Sequence, residues 1–325
     1  MVQKLSLLER EQIFKLLSRR EPLSIIALSI NRHISTIYRE LNRLSNEAYS
    51  PTAAQAHATL KAKNSKKHEK IQSEELKKYV MEKLLYEYWS PEQISGRLLI
   101  DYPHNNQMRI SHETIYRFIY NFKDPWEKEK LIWHLRHRKK RRYSRKGKKE
   151  KRTNIPNVTS IWKRPKETED REEPGHWEGD LIIGKDHKTA IGTLVERKLR
   201  LTMIVPLFKK KDSVTTVVSF AKAFERLPEH LKKSLTYDRG SEMSWHEVFT
   251  KDTGIKVYFA DPHSPWQRGT NENTNGLIRQ FFPKKTDFSK CSIEDMQRVQ
   301  DLLNNRPRKV LGFMTPLEKL QSITK

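Results

Sequence analysis

Cysteine is all but missing from this chain: Cys291 is the one thiol in 325 residues. A disulfide framework and a multi-cysteine zinc site within one chain are both excluded. Long apolar runs are missing too. No stretch approaches the roughly 20 apolar residues of a membrane-spanning helix. The opening residues, MVQKLSLLEREQ, hold no apolar signal core. The expectation is a protein without membrane segments, cytoplasmic and associated with the nucleoid. Hydrophobic residues make up only 35% of the chain, so part of it is expected to be linker or exposed arm, while 9% aromatics suffices for a real core. Acid is the third shortage. Asp and Glu total 40 against 64 Lys and Arg, a formal net charge of +24. An excess of this size points to a polyanionic partner, and to nucleic acid before a merely basic surface.

The first 60 residues read as short helices. Ser6 and Glu9 form a capping box ahead of LLEREQIFKLLSR, in which Leu7, Leu8, Ile13, Leu16 and Leu17 share one face. Pro22 and Ser24 open a second helix, NRH breaks it, and Ser35 caps a third through Leu41. Two short helices with a tight break outline a helix-turn-helix. A similar pair recurs downstream. Ser90 caps a helix with Pro91 at its first position, and after a loop rich in Pro and Asn, Ser111 caps another through Tyr120. Both second helices contain TIYR, at Thr36–Arg39 and Thr114–Arg117. Ile37 and Ile115 are expected in the core, with Thr36, Arg39, Thr114 and Arg117 towards DNA. The run HLRHRKKRRYSRKGKKEKR, 134–152, has the composition of a solvated linker that would also bind phosphates without reading sequence.

From about residue 174 the pattern changes. HWEGDLIIG, TAIGTLVER and RLTMIVPLF read as three successive strands. Helices and strands then alternate through SVTTVVSFAKAFERL, KSLTYD, SWHEVFTKDTG, IKVYFAD and GTNENTNGLIRQFF, which describes a mixed α/β sheet. CSIEDMQRVQDLLNNRP is a further helix capped by Ser292. The expected organisation is therefore a first helix-turn-helix region over 1–60, a second over 61–133, a basic linker over 134–170, and an α/β domain over 171–325 that ends in a helix.

Three acids fall at telling places in that domain. Asp180 lies inside the apolar strand GDLII, Asp238 ends the strand SLTYD, and Glu272 sits in the first turn of a helix. A carboxylate in a buried strand is costly unless paired or metal-bound. Three converging carboxylates suit a hard cation such as Mg²⁺. Each acid taken singly also has a structural explanation: an ion pair for Asp180, a turn for Asp238, a helix N-terminus for Glu272. Glu178, Asp186, Glu242 and Asp261 are nearby alternatives, with Asp186 and Asp261 reading as turn residues. Trp266, beside Pro265, is assigned to packing before base stacking.

The stretches GHWEGDLIIG, GTLVERKLRLTMIVPL, LTYDRGSEMSWHE, YFADPHSPWQRGTNENTNGLIRQFFPKKTDFS and LNNRPRKVLGFMTP resemble the IS-thirty family of bacterial insertion-sequence transposases. WSPEQISGRL and ISHETIYRFIY resemble that family's helix-turn-helix region, so the likeness covers roughly residues 10–120 and 172–318. The resemblance implies an RNase H-like, retroviral integrase-like catalytic fold and a triad of Asp180, Asp238 and Glu272. It further implies Mg²⁺ or Mn²⁺, two ions per site, and double-stranded DNA as partner, both the element's terminal inverted repeats and the target. A homo-oligomer on DNA, at least a dimer, is implied in the same way. Arg279, with the stretch QRGTNEN around Glu272, is then expected to face DNA or to order the start of the helix. The rival from another class is a non-catalytic DNA-binding regulator built on the helix-turn-helix units. A retroviral-type integrase with a two-His, two-Cys zinc module is excluded by the single cysteine.

Overall fold

The computed structural model describes residues 5–43, 48–64, 71, 73–136, 155, 157–207, 212–262 and 264–324. These fall into two compact units, Met1–Lys70 and Ile71–Lys325. Most of the basic run, from 137 onward, lies outside the described residues.

The first unit holds α1 (Leu7–Ser18), α2 (Leu23–Ser29), α3 (Ile34–Leu41) and α4 (Pro51–Asn64). The Ser6–Glu9 capping box forms as expected. The inward face of α1 differs from the expected one. Ile13 is buried and Leu16 and Leu17 pack against the cluster as expected, but Leu7 and Leu8 are exposed, and Leu5 and Arg10 are buried in their place. Arg10 can be buried because its Nε donates to Glu40 at 2.7 Å and its Nη1 to the Leu5 carbonyl. Ile30 to His33 separate α2 from α3, a connection of helix-turn-helix length. The N-cap of α3 is His33, not Ser35: the His33 ring accepts from the Ser35 backbone N–H.

The second unit opens with α5 (Glu74–Leu85), α6 (Pro91–Asp101), α7 (His112–Tyr120) and α8 (Pro125–His134) around their own apolar cluster, with Ile94, Ile115 and Ile119 fully buried. Here Tyr102 to Ser111 separate α6 from α7, longer than a helix-turn-helix turn. α6 is seated on the C-terminal segment of the chain. The Arg97 guanidinium makes two bonds to Glu318, at 2.5 and 2.6 Å. Gln93 donates to the Pro307 carbonyl at 2.8 Å. A Cβ on Gly96 would meet the Phe313 ring at 2.4 Å, so only glycine allows this approach. The expected border near residue 133 therefore does not separate this helix pair from the C-terminal part of the chain.

Residues 157–170 are not linker either. Phe259 donates to the Thr159 carbonyl, Ile161 is buried, and Arg164 bonds Thr236 ahead of α9 (Lys166–Asp170). The sheet comes next, with β1 (His176–Ile183), β2 (Ala190–Glu196), β3 (Thr202–Leu207), β4 (Ser234–Tyr237) and β5 (Lys256–Phe259). Its strand order is β3-β2-β1-β4-β5, antiparallel from β3 to β1 and parallel from β1 to β5. α10 (Ser213–Glu225) and α11 (His246–Thr253) cover one face through Phe220, Phe224 and Phe249. α12 (Gly269–Phe281) and α13 (Ile293–Asn304) cover the other through Leu277, Ile278 and Leu303, and α14 (Pro316–Thr324) closes the chain. This is the mixed α/β sheet that the alternation of elements predicts.

Candidate active site

Side chains alternate across a strand. Trp177 of β1 enters the cluster under α10, and Ile182 enters the cluster under α12. Glu178 and Asp180 share the parity of Ile182 and so face α12. β4 runs parallel to β1, with Glu178 opposite Thr236. Two residues further along stand Asp180, inside β1, and Asp238, just past the end of β4.

One guanidinium joins these two acids. Arg268, just ahead of α12, lies 3.5 Å from Asp180 Oδ1 and 3.2 Å from Asp238 Oδ2, and its Nη1 also donates to the Gly179 carbonyl. The second Asp180 oxygen accepts from Asn275 Nδ2 at 2.9 Å. Burial pushes the Asp180 carboxyl up to about 6; Arg268 opposes that shift and the nearby Asp238 reinforces it. Asp238 Oδ1 accepts from the Gly240 N–H, which turns the chain at the strand end.

Glu272 stands apart in this conformation. It is exposed, four residues after Arg268 and three before Asn275. Both of those neighbours touch Asp180, and residues three or four apart adjoin on a helix. The Glu272 backbone is thus brought beside the acid pair while its side chain points to solvent. Among the described residues, no three acidic, histidine or cysteine side chains form a cluster ready to hold a metal.

The alternative acids are accounted for otherwise. Glu178 is fully buried, paired with Arg197 at 2.7 Å, and accepts from the Asn271 N–H at 2.8 Å, which fixes the start of α12 against β1. Asp186 has a left-handed φ of 51°, and Asp261 accepts from Trp162 and Gln267, both at home in turns. Glu242 lies in the turn after Gly240, half-buried. Arg279 is not presented outward. Its guanidinium donates to the carbonyls of Ile183, Phe282 and Pro283, so it ties the end of α12 to the end of β1. The helix end is what Arg279 orders, not the helix start that was expected. Trp266 is 73% exposed, which overturns the packing assignment.

Of the TIYR residues, the two isoleucines lie in the core as expected. Ile37 and Ile115 are fully buried, while Arg39 and Arg117 are exposed and Thr36 and Thr114 half-buried. Arg39 folds back on Ser35, and Arg117 pairs with Glu113 at 3.2 Å. Sequence reasoning missed Arg268 and Asn275. Their signal was spacing: both lie within one helical turn of Glu272, on the side that meets Asp180.

The donor set fits a divalent cation. Asp180 and Asp238 already share one positive group, oxygen donors suit Mg²⁺ or Mn²⁺, and a third carboxylate lies on the adjacent helical turn.

Comparisons with known proteins agree with this architecture. The family model "Integrase core domain" matches residues 170–265, a span that contains Asp180 and Asp238 and stops before Glu272. The model "Helix-turn-helix domain" matches residues 2–44. The transposase InsI for insertion sequence element IS30A of Escherichia coli (strain K12) is 47% identical over 98% of this chain and 83% of its own length. The transposase for insertion sequence element IS1086 of Cupriavidus metallidurans is 40% identical over 93% of this chain and 89% of its own. Among solved structures, the catalytic core of BIV integrase is 20% identical and covers 46% of this chain and 96% of its own, with a TM-score of 0.37. An N-terminal helix-turn-helix domain is thus joined to an integrase core with a mixed sheet.

Proposed function

The chain belongs to the IS-thirty family of insertion-sequence transposases, and we propose that it binds the terminal inverted repeats of its own element, cuts a strand at the element end and joins the freed 3′ hydroxyl to target DNA. The observation that carries this reading is the meeting of Asp180 and Asp238 at Arg268, one helical turn from Glu272. The regulator alternative is set aside, because relatives along nearly the whole chain are transposases and the integrase core is present.

Asp180, Asp238 and Glu272 would hold Mg²⁺ or Mn²⁺, with two ions in the full site. Bound there, the metal would activate the attacking oxygen and neutralise charge on the leaving one. The protein's own part is positional. Asn275 orients Asp180, Arg268 compensates the two aspartates, and Glu178 fixes the helix that carries Glu272. α3 would enter a major groove of the element end through Thr36 and Arg39, and Thr114 and Arg117 of α7 would add a second contact. Two ends joined in one reaction call for at least two copies of the chain on DNA. No described helix is long and apolar enough to cross a membrane.

The test is a strand-transfer assay on the element's own ends, paired with Mn²⁺ titration of the protein. Asp180→Ala, Asp238→Ala and Glu272→Ala are each expected to reduce cleavage and joining to background, to weaken Mn²⁺ binding, and to leave end-binding nearly intact. Excess chelator should abolish chemistry in the unaltered protein. Near-normal turnover by any one variant removes that residue from the mechanism.

A further inference from the structure

The opposite flank of α12 carries positive charge that no carboxylate contacts directly; Glu178 and Glu196 act on Arg200 only through space. Four arginines gather there. Arg200 donates to Thr270 Oγ1 at 2.7 Å, at the start of the helix. Arg136 donates to the Asn273 carbonyl and side chain, at 3.2 and 2.9 Å. Arg306 donates to Gln280 Oε1 at 3.1 Å and to Gln93 Oε1 at 2.9 Å. Arg308 donates to the Leu303 carbonyl, and its Nε has no hydrogen-bond partner; the buried Nε of Arg200 has none either. Among the described residues, none of the four forms an ion pair with a carboxylate. Arg306 and Arg308 are only 2% and 8% exposed.

Buried cations without counter-ions are expensive, and at Arg306 and Arg308 the neighbouring arginines raise that cost; at Arg200 the added repulsion comes from Arg171 and Arg197 and is opposed by Glu178 and Glu196. Burial, then repulsion from Arg308 and Arg136, brings Arg306 down to about 9. Burial, then Arg200 and Arg136, brings Arg308 down to about 10. The backbone enforces the gathering. Asn304 brackets Thr202 with two hydrogen bonds, which holds the start of the Arg306–Arg308 segment against the strand just after Arg200. Gly276 leaves room for Arg136, since a Cβ there would stand 2.9 Å from its Nη2.

Position on the helix matters more than number. At about 100° per residue, Thr270, Asn273 and Gln280 form one stripe, while Asn271 and Asn275 face the acids. Glu272 and Gly276 lie between the two and are exposed. From residue 270 to residue 280 the helix rises about 15 Å, the axial length of about four nucleotides of one DNA strand.

We propose that Arg136, Arg200, Arg306 and Arg308 form a phosphodiester-binding track along α12 that seats one strand of DNA backbone beside Glu272. Arg136 and Arg200, half-buried, contact the phosphates. Arg306 and Arg308 lie beneath and supply field, and their uncompensated charge is what the arriving anion relieves. The track reads no bases, so it serves target and element DNA alike. This inference rests on the DNA-joining function proposed above.

The test uses the full chain, a duplex of arbitrary sequence and a salt titration. Arg136→Gln and Arg200→Gln are each expected to weaken binding and to lower the slope of log affinity against log salt by about one. Arg136→Lys, which keeps the charge, should restore most of the slope. Thermal melting of every variant accompanies the titration. A lower melting temperature with an unchanged salt slope would show that the arginines only pack the fold, and would overturn the track. Inorganic phosphate is the second probe. Stabilisation by phosphate with no slope change on DNA would mark a small-anion site and would equally overturn it. If the unaltered protein fails to bind DNA at all, the functional reading fails first; a steep wild-type slope matched by both variants sinks the track alone.

Discussion

The word TIYR occurs in two helices with different company. α3 sits in a unit of 70 residues whose buried apolar cluster, among the described residues, is five side chains, Leu5, Ile13, Ile26, Ala27 and Ile37. Its neighbours are helices of the same unit, fixed by the buried Arg10–Glu40 pair. α7 belongs instead to a cluster of twelve buried side chains whose partner helix α6 is bolted to the C-terminal segment through Arg97, Gln93 and Gly96. The same local pattern thus gives a small separate module in one place and a fixed part of the catalytic unit in the other. Only the first has a connection of helix-turn-helix length, and only the first is matched by a helix-turn-helix model. On that difference we propose that α3 reads sequence and that α7 positions the DNA backbone.

The largest effect should come from removing the first unit. The chain without residues 1–70 is expected to keep its folded sheet and its salt-dependent grip on any DNA. It should lose on the order of 10³-fold or more of its preference for element ends over scrambled DNA. Competitive titration on cognate and scrambled duplexes measures this. Retained preference would transfer the reading to α7 and break the comparison.

Arg97→Ala comes next. The Arg97–Glu318 contact is bidentate and part-buried, and Arg97 also holds Asp101 at 2.7 Å. Its loss should destabilise the second unit by about 2 kcal/mol in chemical denaturation and leave the first unit unchanged. Arg97→Lys should recover only part of that, because an ammonium cannot make two parallel bonds. An unchanged unfolding midpoint would mean that α6 is not held by this contact.

How much was legible in the sequence depends on the reach of each interaction. Capping at Ser6, Ser90, Ser111 and Ser292 depends on residues three apart, and all four form. The five strands and their mixed order came from alternation and element order. Asp180 is anomalous as an acid inside an apolar strand, but the choice of Asp180 and Asp238 over the nearby acids rests on the family resemblance. The failures involve contacts across the chain. Arg268 between the two aspartates depends on a helix start 88 positions after Asp180 in this 325-residue chain. Residues 157–170 are polar enough to read as linker, and they pack only because a sheet edge lies beside them at Phe259. Leu7 and Leu8 lie outside the inward face because, at about 100° per residue, they turn away from Ile13, Leu16 and Leu17, whereas Arg10 turns inward and pairs with Glu40, 30 positions away. Glu272 was found through its motif, whereas its outward pose is set by the conformation of one side chain.

The smallest and sharpest prediction sets Arg39 against Arg117. Both are exposed at corresponding positions, and both hold a partner four residues back on their own helix. Arg39 bonds neutral Ser35 atoms, so its full charge and remaining donors are available to a base edge. Arg117 is paired with Glu113, an exposed i,i+4 contact worth only about 0.3–0.5 kcal/mol. That carboxylate engages part of the Arg117 charge, and an ionised phosphate competes for it better than a neutral base edge does. Arg39→Ala is therefore expected to cost about 1–3 kcal/mol on element ends, to relax preference at one base position, and to change scrambled-DNA binding little. Arg117→Ala should weaken cognate and scrambled DNA equally and lower the salt slope by about one. A panel of single-base variants of the element end, titrated at several salt concentrations, separates the two. If Arg117→Ala relaxes a base preference and Arg39→Ala only shifts the slope, the assignment of reader and positioner is reversed. If both relax a base preference, α7 reads sequence in spite of its long connection and its fixed seat.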